Sequence, residues 1–273
     1  MSPRVVRLHS ENNHFQRADV LRRNRHRRQQ YHEFFVEGVL PINRMLTHGW
    51  EVRSYFHSGE SRLSDWATDI LQTSRAETHF ELPSRMMAKL SGKDEPSELI
   101  AVVPMREDRL DRIPITADLL VVVCDRPGSP GNLGSIIRSA DALGARGVVV
   151  TGHAADIYDP ETITSSRGSL FAVPVVRVDG PRELLAWFAQ VRETCGDLQI
   201  VGSDERAEID LWNHQFRLPT VLATGNETWG LSAAVREMCD TMVRIPMSGS
   251  ATSLNLAAAT SIALYEIARQ RHA

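Results

Sequence analysis

The sequence predicts an α/β protein in two parts: a smaller α/β unit, then a doubly wound α/β domain built on a parallel sheet. Three observations lead there. Strand-like and helix-like periodicities alternate along most of the chain. The run "ADLLVVVCDRPG" is apolar without interruption, which suits a strand buried on both faces of a parallel sheet. The polar, proline-containing stretch "REDRLDRIPIT" separates two series of alternations and reads as a linker, dividing the chain into residues 1–108 and 115–273.

The elements follow in order. The segment "QRADVLRRNRHRRQQ" crowds Arg17, Arg22, Arg23, Arg25, Arg27 and Arg28 around His26. Clustered cations attract polyanions locally whatever the total charge; a solvated, partly disordered N-terminal helix accounts for the same residues. "YHEFFVEG" reads as a strand ending at Gly38, and "VLPINRMLTHG" as a helix with Val39, Ile42, Met45 and Leu46 on one face. "EVRSYFHSG" is a second strand, "SDWATDILQTS" a helix capped by Ser64, "ETHFELP" a third strand, "SRMMAKLSG" a helix and "SELIAVVPM" a fourth strand.

The second part opens with the apolar strand and continues with helix "GSIIRSADALGA", strand "GVVVTG", a helix or loop over "YDPETITSSRGSL" and strand "VPVVRV". Helix "RELLAWFAQVRE", strands "LQIVGSD" and "PTVLATG", helix "SAAVREMC", strand "TMVRIPM" and a last helix from Leu254 to Arg269 complete it.

Composition bounds the function. With 42% hydrophobic and 24% charged residues the chain can bury a real core. No apolar run is long enough to span a bilayer, and "MSPRVVRLHS" lacks the apolar stretch of a signal peptide, so a soluble cytoplasmic protein is expected. Cys124, Cys195 and Cys239 form no CxxC pair, which argues against a disulfide framework and a cysteine zinc site. The ten histidines are scattered and no HExxH occurs, so no metal is expected. No GxSxG elbow marks a serine hydrolase.

The turn after the apolar strand, "CDRPGSPGNLG", resembles a nucleotide loop but spaces its glycines (Gly128, Gly131, Gly134) as GxxGxxG. A dinucleotide site also needs an acidic residue at the end of the next strand, where this chain has Thr151, Gly152 and His153. A P-loop needs a lysine, and the only lysines are Lys89 and Lys93 in the first part. The glycines therefore serve either as plain turn-formers or as part of another kind of site.

Two further loops follow strands of the same domain: "ATGNETWGLS", with Gly225 and Glu227, and "IPMSGSATSLNLAAATSIALYE", with Ser253 and Asn255. Open α/β sheets bind ligands beyond the carboxyl ends of their strands, so three polar loops at such ends suit one shared site. In order and spacing, "PGNLGSIIRSADALGA", "GNETWGLS" and "IPMSGSATSLNLAAA" resemble the three motifs of SpoU-type (TrmH-like) ribose 2′-O-methyltransferases of the SPOUT superfamily, over about Leu119 to Arg269. The first part resembles the small RNA-binding domain of ribosomal-protein type often attached to these enzymes. Across the whole chain, basic extension included, the resemblance is to the avilamycin-resistance type of 23S rRNA uridine methyltransferase.

The resemblance implies a parallel sheet with a deep trefoil knot, S-adenosylmethionine as cofactor without a metal, and a homodimer paired through the first and last helices of the knotted domain. It implies transfer of a methyl group to a ribose 2′-hydroxyl of RNA, a uridine of 23S rRNA in the first place, with resistance to a ribosome-targeting antibiotic as the associated role. A tRNA substrate, or a non-catalytic RNA-binding or ribosome-assembly role on the same fold, are the alternatives.

By position, Arg138, Asn132, Glu227, Ser253 and Asn255 match the catalytic set, and Gly225, Ile245 and Leu254 the cofactor contacts; Arg22, Arg23, Arg25, Arg27 and Arg28 are assigned to RNA binding by their clustered charge. Glu227 is expected to hold both Asn132 and Arg138. The family proposal makes the arginine an activator of the hydroxyl, even a general base. A guanidinium keeps its proton at a pKa above ~12, so electrostatic stabilisation and phosphate anchoring suit it better. Trp229 departs from the smaller or polar residue common in the second motif, and either stacks on a base or covers a dimer contact.

Overall fold

In the computed structural model, which describes residues 3–93, 95–217 and 219–272, the chain folds as two units: Met1–Arg106 with Tyr158–Phe171, and Glu107–Ile157 with Ala172–Ala273. The first contains β1 (Arg4–Arg7), α1 (Asn13–Arg23), α2 (Arg25–Tyr31), β2 (Glu33–Glu37), α3 (Val39–Thr47), β3 (Ser54–Ser58), α4 (Asp65–Thr73), β4 (Thr78–Leu82), α5 (Ser84–Ser91) and β5 (Leu99–Pro104). Its sheet runs β1-β4-β3-β5-β2. β1, β4 and β3 are mutually parallel, while β5 is antiparallel to β3 and β2. The core lies between the sheet and α1 and α5: Phe15, Ala18 and Leu21 of α1 meet Phe35, Phe56, Phe80 and Met86. Ser64 caps α4 as expected, accepting from the Ala67 amide at 3.3 Å.

The basic segment is helical, divided between α1 and α2. Asn12 caps α1 through the amides of His14 and Phe15, and Asn24 caps α2 through that of Arg27. One expectation is corrected here. Arg28, assigned to the RNA-binding cluster, is 1% exposed. Its guanidinium donates to the carbonyls of Leu21 and Arg22 at 3.0 and 3.1 Å and to Asp159 Oδ2 at 2.9 Å. A buried guanidinium needs such partners, because leaving a charge unpaired in the interior costs several kcal/mol, about 3–5 by removal of one partner. Arg22 is also drawn inward, its side chain 20% exposed and 3.5 Å from Asp19. Arg23 and Arg27 face solvent, and Arg25 is half-buried.

The segment read as "helix or loop" between two strands of the second part folds as α7 (Pro160–Ser166) and α8 (Ser169–Ala172), after the second unit's β6 (Leu120–Asp125), α6 (Pro130–Ala142) and β7 (Gly147–Thr151). Residues Tyr158–Phe171 belong to the first unit, so the boundary drawn at residues 108 and 115 misses this excursion. Its cause is aromatic: Tyr158 and Phe171 pack on Phe34, with Trp50 edge-on to Phe171 and its Nε1 donating to the Phe171 carbonyl at 3.0 Å.

The second unit continues with β8 (Val175–Val178), α9 (Pro181–Cys195), β9 (Gln199–Ser203), β10 (Ile209–Asp210), β11 (Thr220–Thr224), α10 (Ala233–Glu237), β12 (Thr241–Arg244) and α11 (Leu256–Arg271). Its seven strands run β10-β12-β9-β11-β6-β7-β8, and all are parallel. The chain leaves β6 toward β7 and β8, then returns to place β11 on its other side. The strand order therefore reverses at β6, and the loops after β6 and β11 diverge from neighbouring strand ends. β6 is buried at all six positions, as its unbroken apolar run requires. No helix among the described residues is long and apolar enough to cross a membrane.

Candidate active site

Each of the three loops is built by its own local chemistry. After β6, Arg126 turns the chain in a left-handed conformation (φ 54°). Ser129 then caps α6 by accepting from the Asn132 amide at 3.2 Å, with Pro130 at the first helical position, where its missing N–H costs nothing. After β11, Asn226 closes a turn: its Oδ1 accepts from the amides of Thr228 and Trp229 at 2.9 and 3.1 Å. Asn226 and Gly230 also exchange backbone hydrogen bonds, both 2.9 Å. Before α11, Asn255 caps the helix through the amides of Ala257 and Ala258.

Glu227 joins the first two loops. Its Oε2 accepts from the Gly128 amide at 2.8 Å, and its Oε1 from the Ser129 amide at 3.1 Å and Asn132 Nδ2 at 3.0 Å. Asn132 passes the connection on, its Oδ1 accepting from Asn255 Nδ2 at 2.9 Å. Glutamate, two asparagines and two backbone amides thus form one continuous network across all three loops. Burial pushes the Glu227 carboxyl up, but the hydrogen bonds from Asn132, Gly128 and Ser129 outweigh it and hold the group below its ordinary value.

A second clamp lies beneath. Asp125, 2% exposed at the end of β6, accepts from Thr151 Oγ1 at 2.8 Å and from the Ser232 amide at 2.6 Å, and pairs with Arg126 at 3.2 Å. Here too burial raises the carboxyl, and the Ser232, Arg126 and Thr151 bonds more than offset it, so the group stays ionised below its usual range. Arg126 Nη2 donates to the Gly230 carbonyl at 3.2 Å, and Asn226 Nδ2 to the Arg126 carbonyl at 2.8 Å. The turn after β11 is held from both sides.

The second and third loops border a cavity of ≈ 770 Å³, within the range of about 300–1,000 Å³ usual for small-molecule sites. Of the residues singled out from the sequence, Gly225, Glu227, Ile245, Ser253, Leu254 and Asn255 line it. Gly225 has no alternative: a Cβ there would lie 2.1 Å from the Gly230 carbonyl carbon and 2.3 Å from the Leu231 nitrogen. Asn132 reaches the cavity's edge through its bonds to Glu227 and Asn255.

Arg138 lies elsewhere, on the exposed face of α6, and does not line the cavity. Its guanidinium has no hydrogen-bond or ion-pair partner among the described residues. The expected Glu227–Arg138 contact is therefore corrected: Glu227 spends its oxygens on the first loop and Asn132.

Sequence reasoning missed Asp125 and a third wall of the cavity. That wall runs from Ser203, at the end of β9, to Arg206, with Asp204 paired to Arg236. The signal is present, since "LQIVGSD" reads as a strand and the rule about carboxyl ends applies to its loop. Among the described residues no group of three or more His, Cys, Asp or Glu side chains could hold a metal ion.

Comparison with known proteins agrees with this architecture. Residues 119–265 match the SpoU rRNA methylase family, and residues 12–101 match the SpoU L30e-like domain. A 23S rRNA (uridine(2479)-2′-O)-methyltransferase of Streptomyces viridochromogenes is 48% identical over 270 residues, 99% of this chain and 94% of that protein. The crystal structure of the SpoU methyltransferase AviRb from the same organism, in complex with the cofactor AdoMet, aligns with a TM-score of 0.91 at 48% identity, covering 96% of this chain and 99% of that one. An AdoMet-bound rRNA methyltransferase from Sinorhizobium meliloti aligns at 0.83 with 28% identity, covering 98% of each chain. With a family model spanning the whole seven-stranded sheet and all three site loops, the chain belongs to the SpoU rRNA methylase family.

Proposed function

We propose that this protein transfers a methyl group from S-adenosylmethionine to a ribose 2′-hydroxyl in RNA, and that its substrate is a uridine of 23S rRNA. The observation that carries the reading is the network from Gly128 and Ser129 through Glu227 and Asn132 to Asn255 on the edge of the cavity. It joins all three loops that bear the family's motifs. The rRNA uridine comes from the Streptomyces viridochromogenes relative, which matches over almost the full length of both chains. Methyl transfer from labelled S-adenosylmethionine to rRNA is the test.

The cavity suits this cofactor. Gly225, Ile245 and Leu254 would hold it, largely through main-chain groups, with Met247 adding an apolar wall. When bound, the cofactor would supply a methyl group already activated by positive charge. As the S–C bond breaks and the O–C bond forms, the hydroxyl proton passes to solvent, and the protein's part is alignment and charge stabilisation. Alignment of well-placed groups is worth up to about 7–11 kcal/mol. Asn132, its amide held at both ends, orients the ribose. Ser253, exposed on the cavity wall, and Asn255 order the third loop and touch substrate. Arg138 does not line this cavity. The role we assign it, stabilising the alkoxide forming on the ribose oxygen and anchoring an adjacent phosphate, therefore requires the bound RNA or a second copy of the chain to bring its unpaired guanidinium to the reacting atoms.

The active form in this reading is a homodimer. α6 and α11 pack against each other within the chain, Ser139 Oγ 2.7 Å from Ser261 Oγ, while Ile262 (41%) and Tyr265 (61%) of α11 remain exposed. Those side chains give a second copy an apolar face. Sedimentation at micromolar concentration should show a dimer, and a fully active monomer would contradict it.

The first unit supplies RNA affinity. Arg27 and Arg23, which also pairs with Asp19 at 3.0 Å, are the exposed arginines of the basic cluster and would meet phosphates. Replacing these two with alanine should weaken rRNA binding and lower the log–log salt slope by about 0.7–0.9 for each phosphate no longer neutralised. Cofactor affinity, measured beside it by calorimetry, should not change. An unaltered slope in filter-retention titrations would make the cluster a solvated surface.

A further inference from the structure

We propose that Trp229 is a stacking platform for a nucleobase of the RNA substrate at the mouth of the cavity, a role that rests on the RNA methyl-transfer reading. At 79% exposure it is the most exposed of the large hydrophobic side chains among the described residues. An indole on a loose loop would carry little meaning, but this one stands on a fixed turn. Asn226 and Gly230 are bonded to each other in both directions, and Asn226 Oδ1 accepts from the Trp229 amide itself at 3.1 Å. Arg126 anchors the turn at both ends, through its carbonyl to Asn226 and its guanidinium to Gly230. A backbone ordered beforehand has less freedom to lose when the side chain acquires a partner.

Position selects the partner. Trp229 lines the cavity together with Glu227 and Asn255, whereas the other strongly exposed aromatics, Trp212 and Tyr265, do not. Its neighbours in the turn, Glu227 and Thr228, are polar and exposed, while Met247 and Leu254 add exposed apolar surface to the same cavity. A flat exposed ring with both polar and apolar groups around the same cavity suits a ligand that alternates flat apolar faces with polar and charged parts. RNA is such a ligand, and unstacked bases are commonly received on aromatic rings. Every base has a π face, so this contact supplies affinity and orientation while leaving base identity to other groups.

The test compares wild type, Trp229→Ala and Trp229→Phe as full-length protein with 23S rRNA. RNA affinity is read by filter retention, kcat and KM by label transfer, S-adenosylmethionine affinity by calorimetry and assembly by sedimentation. Alanine should raise Kd and KM for RNA about 10- to 100-fold, and phenylalanine should restore most of the loss. Cofactor affinity and sedimentation should stay as in wild type. Unchanged RNA affinity overturns the proposal. So does a loss confined to cofactor affinity, which would assign the ring to the adenine, or a shift to smaller species, which would assign it to a subunit contact. If wild type transferred no methyl group, the functional reading would fall, and the RNA affinities would still decide the role of the indole.

Discussion

Arg138→Ala should lower the rate of methyl transfer by about 10²–10³ while leaving S-adenosylmethionine affinity within twofold of wild type. The size follows from the role: a donor aimed at charge that develops only in the transition state contributes to kcat and not to cofactor binding. The selectivity follows from place, because Arg138 is exposed on α6, makes no described side-chain contact and does not line the cavity. Its removal strands no buried partner, so stability should be nearly unchanged. Arg138→Lys keeps the charge but loses the planar fork, and should recover only part of the rate. Single-turnover kinetics with labelled cofactor, run beside calorimetry, separates the two quantities. A variant retaining more than half of wild-type turnover would remove Arg138 from the chemistry.

Gly225→Ala should weaken cofactor binding well beyond twofold and lower the rate of methyl transfer by about 10² or more, since misplacing the reacting geometry by ~1 Å already costs that much in rate. The added Cβ would meet backbone, the Gly230 carbonyl carbon at 2.1 Å and the Leu231 nitrogen at 2.3 Å, so no side chain can rotate away to admit it. The turn from Asn226 to Gly230 must move, and it forms one wall of the cavity. Gly249→Ala is the control. It lies in the neighbouring loop, and a Cβ there would have nothing within 4 Å. Calorimetry should find Gly249→Ala indistinguishable from wild type. Binding by Gly225→Ala within a factor of two of wild type would show that the turn yields, and that its fixed geometry is not what shapes the cavity.

Much of this site is legible in the sequence, for a physical reason. Strands buried on both faces of a parallel sheet must be apolar throughout, so β6 and β11 announce themselves, and the polar residues just beyond them stand out. Glu227 and Asn132 stand out in this way, Asn255 by its place at the start of the last helix, and the structure joins the three by direct hydrogen bonds.

Elements with little core to bury are not legible. β1 is a four-residue edge strand, exposed at three positions, and β10 has only two residues. Arg28 misleads because sequence composition counts a charge without showing whether it faces a phosphate or Asp159. Asp125 is hidden by its position as the last residue of an apolar strand, although burial there is what makes its bonds to Ser232 and Thr151 strong clamps. The excursion of Tyr158–Phe171 into the first unit depends on aromatic contacts more than a hundred residues apart in the chain, which no local periodicity encodes.

The central claim, that the three joined loops form a ribose 2′-O-methyltransferase site acting on 23S rRNA, is tested most directly by incubating unmodified ribosomal RNA with the protein and methyl-labelled S-adenosylmethionine and mapping the product. Label is expected in 23S rRNA at a single uridine, recovered after digestion as 2′-O-methyluridine and absent with Arg138→Ala. Label on a base, label only in tRNA, or cofactor binding without transfer to any RNA would contradict it.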